Sequence, residues 1–130
     1  MNIKVAQNII RLHFMDSKNS VGADYDYIYE GRGHNVCLAV TKDGINRDSV
    51  ECLLKNEAYP KDMSCHVRDP KVWKMDGRYY MVLGARTKED VVELLIYESE
   101  DKYNWKHINV IKTPEPFGYM WECPDICFIC

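Results

Sequence analysis

The sequence has no excess of basic charge, no apolar run of membrane-spanning length and no stripe of apolar residues at helical spacing. Lys and Arg number 17 against 20 Asp and Glu, a formal net charge of −3. A protein that holds a phosphodiester backbone concentrates Lys and Arg, so nucleic acid is not the expected partner. Residues 1–14 are apolar only in part, because Lys4, Gln7, Asn8 and Arg11 interrupt them. They make neither the continuous core of an export signal nor a membrane-spanning length, and the expectation is a cytoplasmic protein without a membrane partner. No segment keeps a three-to-four-residue apolar period, so a helix would have no face to bury and the chain is expected to be all-β.

What is present suits a folded domain: 130 residues, 46% hydrophobic and 28% charged, enough for a real core. The six cysteines, Cys37, Cys52, Cys65, Cys123, Cys127 and Cys130, read as reduced thiols in the absence of an export signal, several at buried strand positions. Cys123, Cys127 and Cys130 crowd together, but no fourth ligand and no second paired knuckle has matching spacing. No metal site is therefore assigned, and the bland reading of small hydrophobes near a chain end is preferred.

The clearest local signal lies in residues 65–86. Asp76-Gly77 separates two runs rich in aromatic and β-branched residues, the pattern of a tight hairpin whose central residues both need positive φ. Arg68-Asp69-Pro70 enters its first strand, and the proline is expected to hold Asp69 extended and to restrict the motif to a strand start or edge. Other strands are expected at residues 8–14, 34–41, 50–54, 91–97 and 105–111, the last with His107, Asn109 and Lys112 on a polar face. Residues 16–26 read as a polar loop, Tyr25, Tyr27 and Tyr29 as an extended segment or an aromatic wall, and Gly31-Arg32-Gly33 as a turn. Lys42-Asp43-Gly44 and residues 101–104 supply further turns, and 56–64 an irregular loop. The last four strands form an antiparallel meander.

About fifty residues after Asp69, the run Tyr119-Met120-Trp121-Glu122-Cys123-Pro124-Asp125 begins another strand with an acidic residue and a proline, a repeat of β-propeller length. The chain then reads as the tail of one blade, one complete four-stranded blade and the first strand of the next. Equivalent strands of neighbouring blades line a common axis, so Asp69 and Glu122 would face one pocket. Paired carboxylates across a pocket are the minimal equipment for glycoside hydrolysis. Trp121, Cys123 and Pro124 would desolvate Glu122 and suit it to be a general acid, while Arg68 would keep Asp69 ionised. The competing reading is an ordinary ion pair and structural carboxylates.

Residues 66–73 (His-Val-Arg-Asp-Pro-Lys-Val-Trp), 79–85 (Tyr-Tyr-Met-Val-Leu-Gly-Ala) and 118–125 (Gly-Tyr-Met-Trp-Glu-Cys-Pro-Asp) resemble successive motifs of glycoside hydrolase family 32. The resemblance runs through nearly the whole chain and is closest to the bacterial intracellular sucrose-6-phosphate hydrolases. It implies a partial five-bladed β-propeller, with residues 1–130 a piece of the N-terminal catalytic domain, and retaining hydrolysis of terminal β-fructofuranosides without a cofactor. The implied partner is a small sugar: sucrose, sucrose 6-phosphate or a fructan. It further implies that Asp69 is the transition-state stabiliser and Glu122 the acid/base. Arg68 then orients Asp69 or a sugar oxygen, and Trp121, with Tyr119 and Trp73, supplies walls for the sugar.

The sequence also departs from that family. The Asn-Asp-Pro-Asn-type motif carrying the nucleophile is nowhere in it, Asp16 stands in the wrong context, and the Phe-Ser-Gly-Ser-like motif is missing. The expectation is an internal fragment, inactive by itself for want of its nucleophile. The alternative is an inactive or carbohydrate-binding remnant of the domain.

Overall fold

In a computed structural model of the chain, residues 10–19, 28–29, 32–115 and 117–127 are described, the side chains of 10–19 and of Arg32 excepted. Among these residues seven strands form two antiparallel sheets, with one 3-10 turn, Asn56–Ala58, between them. The first sheet contains β1 (Ile10–Asn19), β2 (Arg32–Thr41) and β3 (Ser49–Leu54) in that order. The second contains β4 (Met63–Met75), β5 (Arg78–Thr87), β6 (Val92–Ser99) and β7 (Lys106–Ile111), each paired with the next in sequence. β1 and β2 lie beside β4, the edge strand of the second sheet.

The Asp76-Gly77 turn joins β4 to β5 as the sequence requires, with φ of 49° and 82°. β1 runs through residues expected to be a loop, because β2 offers a ladder partner as far as Asn19↔Arg32, and pairing overrides polar composition. Arg32 and Gly33 accordingly belong to β2 rather than to a turn. Tyr25 and Tyr27 lie outside the described residues.

β5 is buried along most of its length on both faces, and this sets the architecture. Directly opposed residues of antiparallel strands share a face. Met81, Leu83 and Ala85 therefore point one way with Val67, Leu95 and Tyr97. They meet Val36, Leu54, Tyr59 and Met63 in a single core between the sheets. Val82, Gly84 and Arg86 point the other way with Arg68, the partner of Gly84, and this second face is covered by residues 117–127.

β7 differs from its expected polar face. A bulge at Ile108 separates the pairs Ile96↔Asn109 and Tyr97↔His107, so His107 and Asn109 fall on opposite faces. His107 packs against the Tyr97 ring, centroids 5.1 Å apart, while Asn109 and Lys112 are exposed as expected and Ile108 and Ile111 stand in solvent beside them.

The turns after β2 and β6 are two copies of one device. Asp43 accepts hydrogen bonds from the Ile45 and Asn46 amides (2.9 and 2.7 Å), the Asn46 side chain (2.7 Å) and Thr41 Oγ1 (3.1 Å). Asp101 accepts from the Tyr103 and Asn104 amides (both 2.8 Å), the Asn104 side chain (2.6 Å) and Ser99 Oγ (3.0 Å). The shared pattern, Thr or Ser, two residues to Asp, three more to Asn, marks β2–β3 and β6–β7 as equivalent hairpins and the first sheet as the outer strands of a preceding blade.

These donors hold both carboxyls well below their ordinary value of 3.8, chiefly the Asn46 side chain for Asp43 and the Asn104 amide for Asp101. A depressed folded-state pKa contributes stability that is complete above the ordinary value and is lost as pH falls through the folded one. The urea midpoint is therefore expected to drop on acidification from about pH 5 to pH 2, and less steeply in the double variant Asp43→Asn, Asp101→Asn. Equal slopes in both proteins would remove these turns from the acid response.

Candidate active site

The Arg68-Asp69-Pro70 motif sits in the middle of β4 rather than at its mouth. Arg68 opposes Gly84 and Lys71 opposes Val82, so Asp69 and Pro70 together face Leu83, a bulge of two residues against one. A proline is tolerated there because the bulged position and the edge strand need no ladder N–H from it. Asp69 is not extended, as the proline alone would have it. Its φ is 57°, in the left-handed region that Asp tolerates better than most residues and that costs on the order of 1 kcal/mol. The bulge moves Lys71 onto the same face as Arg68 and re-aims the Asp69 carboxylate.

Residues 117–127 run over that face in the same direction as β4. Tyr119 Oη lies 3.3 Å from His66 Nε2, Arg68 Nη1 donates to Glu122 Oε1 at 3.2 Å, and the Cys123 amide donates to Asp69 Oδ2 at 2.9 Å. Lys71 pairs with Asp125 at 3.4 Å. The sequence separation of these partners stays at 53 or 54 residues, one blade repeat. The innermost segments of neighbouring propeller blades run side by side in this way. The opening strand expected here is nevertheless absent among the described residues: the inner strand of the β4–β7 blade takes its ladder partner from the strand that follows it, and no described residue stands in that place for residues 117–127.

Two features seat the segment. At Gly84 an added Cβ would lie 2.1 Å from the carbonyl oxygen of Trp121, so only glycine lets the backbones approach so closely. The Tyr119 ring stacks on the Arg86 guanidinium, 3.7 Å from Cζ to centroid, and Arg86 is anchored in turn by Asp90 at 2.7 Å. Cys123 has a φ of 49°, so the hydrogen bond between Asp69 and Cys123 joins two residues held in the left-handed region. Strain placed on both sides of one contact is a feature of functional sites.

The structure brings Arg68, Asp69, Trp121 and Glu122 together, in an arrangement that differs from the expected one. Arg68 gives its guanidinium to Glu122 and to His66 Nδ1. The apolar enclosure expected around Glu122 is not formed: its side chain is 60% exposed, against 20% for Arg68. Trp121 is half-buried and donates through its indole N–H to the Phe117 carbonyl at 2.8 Å. Trp73 is taken up by its cross-strand partner Tyr80, ring centroids 5.6 Å apart. A cavity of about 590 Å³ lies elsewhere, lined by His34, Asn56, Tyr59, Met63, Cys65 and Lys88 among others, and contains neither carboxylate.

Cys37 is buried, Cys65 is a buried free thiol, and Cys52, Cys123 and Cys127 are exposed free thiols; Cys130 lies outside the described residues. His66, Gly84 and Arg86 are the site residues that sequence reasoning had left without a role. A glycine inside an apolar strand and a histidine two residues before an arginine, hence on its face, were the available signals.

A four-stranded blade with a bulged inner strand, faced by a parallel segment one repeat later that carries a second carboxylate, has the build of part of a β-propeller. The chain belongs to glycosyl hydrolases family 32: residues 20–130 match its N-terminal domain. The sucrose-6-phosphate hydrolase of Vibrio alginolyticus is 46% identical over 88% of this chain and 28% of its own length. That of Bacillus subtilis is 35% identical over 69% of this chain and 19% of its own. Among solved structures, a Bombyx mori GH32 beta-fructofuranosidase, determined also as a mutant in complex with sucrose, superposes with a TM-score of 0.70. It is 30% identical over 92% of this chain and 24% of that one. The chain thus spans between about a fifth and somewhat over a quarter of the length of these relatives.

Proposed function

We propose that the chain supplies part of the catalytic propeller of a β-fructofuranosidase, a retaining hydrolase of terminal β-fructofuranosides such as sucrose or sucrose 6-phosphate. The observation that carries this reading is the pair of crossed contacts, Arg68 to Glu122 and Asp69 to Cys123, which hold two carboxylates side by side on facing segments. In this reading Glu122 is the acid/base. Arg68 occupies its Oε1, which leaves Oε2 to carry a proton to the leaving oxygen as positive charge develops on the fructosyl ring. Asp69 is the stabiliser, with Oδ2 held by the Cys123 amide and Oδ1 available to ring hydroxyls. Retention also needs a nucleophilic carboxylate, and no Asn-Asp-Pro-Asn-type motif offers one within residues 1–130, so these residues alone are not expected to form the covalent intermediate. A cytoplasmic location belongs to the same reading, since a phosphorylated sugar does not cross a bilayer unaided.

The test is a hybrid enzyme in which residues 20–130 replace the matching stretch of the Vibrio alginolyticus hydrolase. Release of fructose from sucrose or its 6-phosphate is expected. A hybrid that folds, by circular dichroism and size exclusion, yet hydrolyses neither sugar would refute the proposal.

A further inference from the structure

We infer that His66 is a positioning residue for the acid/base: it fixes the Arg68 guanidinium, and through it Glu122, from a buried site that substrate does not reach. This rests on the reading of Glu122 given above. His66 is 1% exposed and lies on β4 two residues before Arg68, on the same face. Arginine has donors only, so its contact with His66 requires Nδ1 to be the bare, accepting nitrogen. In a neutral ring the proton is then on Nε2, which faces Tyr119 Oη at 3.3 Å and donates to it.

Tyr119 is 52% exposed and is held by two ring contacts. Its ring meets His66 edge-on, centroids 5.7 Å apart at 80°, and stacks on Arg86. A relay follows from the next blade's segment back to itself. Tyr119 fixes the imidazole, the imidazole fixes one Nη of Arg68, and the other Nη falls on Glu122 Oε1. Arginine has a long side chain with several free torsions, and a single exposed carboxylate would not hold its fork in one orientation. A buried acceptor behind it does. The consequence for catalysis is placement: misplacing a reacting group by about 1 Å costs up to about 100-fold in rate.

The test separates positioning from packing. In the hybrid enzyme, His66→Phe keeps the volume and removes the acceptor, while His66→Asn loses volume and returns an acceptor near the Nδ1 position. The expected result is a fall in kcat of about 10- to 100-fold for His66→Phe with KM nearly unchanged, and recovery of most of it by His66→Asn. Full activity of His66→Phe, or an Asn variant no better than Phe, overturns the inference. Should the unsubstituted hybrid itself be inactive, the fault lies with the proposed function. The part that does not depend on catalysis, the hold of His66 on Arg68, is then decided on the 130-residue chain by ¹⁵N–¹H correlation of the imidazoles. A bare Nδ1 with protonated Nε2 at His66 upholds that hold, and an Nδ1–H tautomer or an imidazolium at neutral pH overturns the inference.

Discussion

Glu122→Gln in the hybrid enzyme is expected to lower kcat on sucrose by about 10² to 10⁴-fold, the usual worth of a general acid, with little change in KM. The substitution is chosen because it leaves the geometry alone. The glutamine oxygen can still accept from Arg68 Nη1, the side chain is exposed enough to need no repacking, and the neighbouring Asp69 to Cys123 hydrogen bond is untouched. What disappears is the proton for the leaving oxygen and, in the second step, the base that activates water. An aryl fructoside, whose phenolate leaves without protonation, should therefore keep a kcat/KM far closer to normal than sucrose does, while turnover of both is slowed by the missing base. Steady-state kinetics on both substrates decide the matter. An equal loss of kcat/KM on both would point to collapse of the segment, and an unchanged kcat on sucrose would end the assignment of Glu122.

Gly84→Ala is expected to do that second kind of damage, by displacing residues 117–127 as a body. β5 cannot retreat, because it is paired on both sides and buried on both faces, and the group that a methyl would strike is the backbone carbonyl of Trp121 rather than a side chain that could turn away. Overpacking of this kind costs about 1 to 3 kcal/mol. Lifting the segment is the least costly relief, since it has no ladder. The contacts of Glu122 with Arg68 and of Cys123 with Asp69 would go together, and kcat/KM of the hybrid should fall by about 100-fold or more. In a chain with Trp73 and Trp105 replaced by Phe, the remaining emission from Trp121 should shift to longer wavelength while the far-ultraviolet dichroism of the sheets persists. Retained activity with unshifted emission would mean that the close approach at Gly84 is not what seats the segment.

Much of this was legible from residues alone, where the signal is local. Asp-Gly fixed a hairpin because few dipeptides accept two positive φ values, and strand positions followed from alternation. The two carboxylates emerged from their spacing by one blade repeat. What could not be read was whatever depends on register. The bulge at Asp69 and Pro70 placed the motif in mid-strand and turned Asp69 into a conformation that the proline rule disfavours. A second bulge at Ile108 reversed the faces of His107 and Asn109. Sequence neighbours misled at Glu122, whose apolar flanks pack elsewhere while the residue itself meets a cation 54 positions away. The repeated Asp-centred turn at Asp43 and Asp101 was in plain view, and would have located the blade boundary without any resemblance to a family.

The bulge in β4 also bears on what keeps neighbouring blades apart. Two extended segments running side by side will ordinarily zip into one sheet, each amide of one finding a carbonyl of the other. Here Pro70 has no amide to offer and Asp69 turns its backbone out of line, so no main-chain ladder stitches the seam and each contact across it uses a side chain on at least one side. A seam held open in this way leaves polar side chains, rather than a closed ladder, facing the axis, and those are groups that a sugar can compete for.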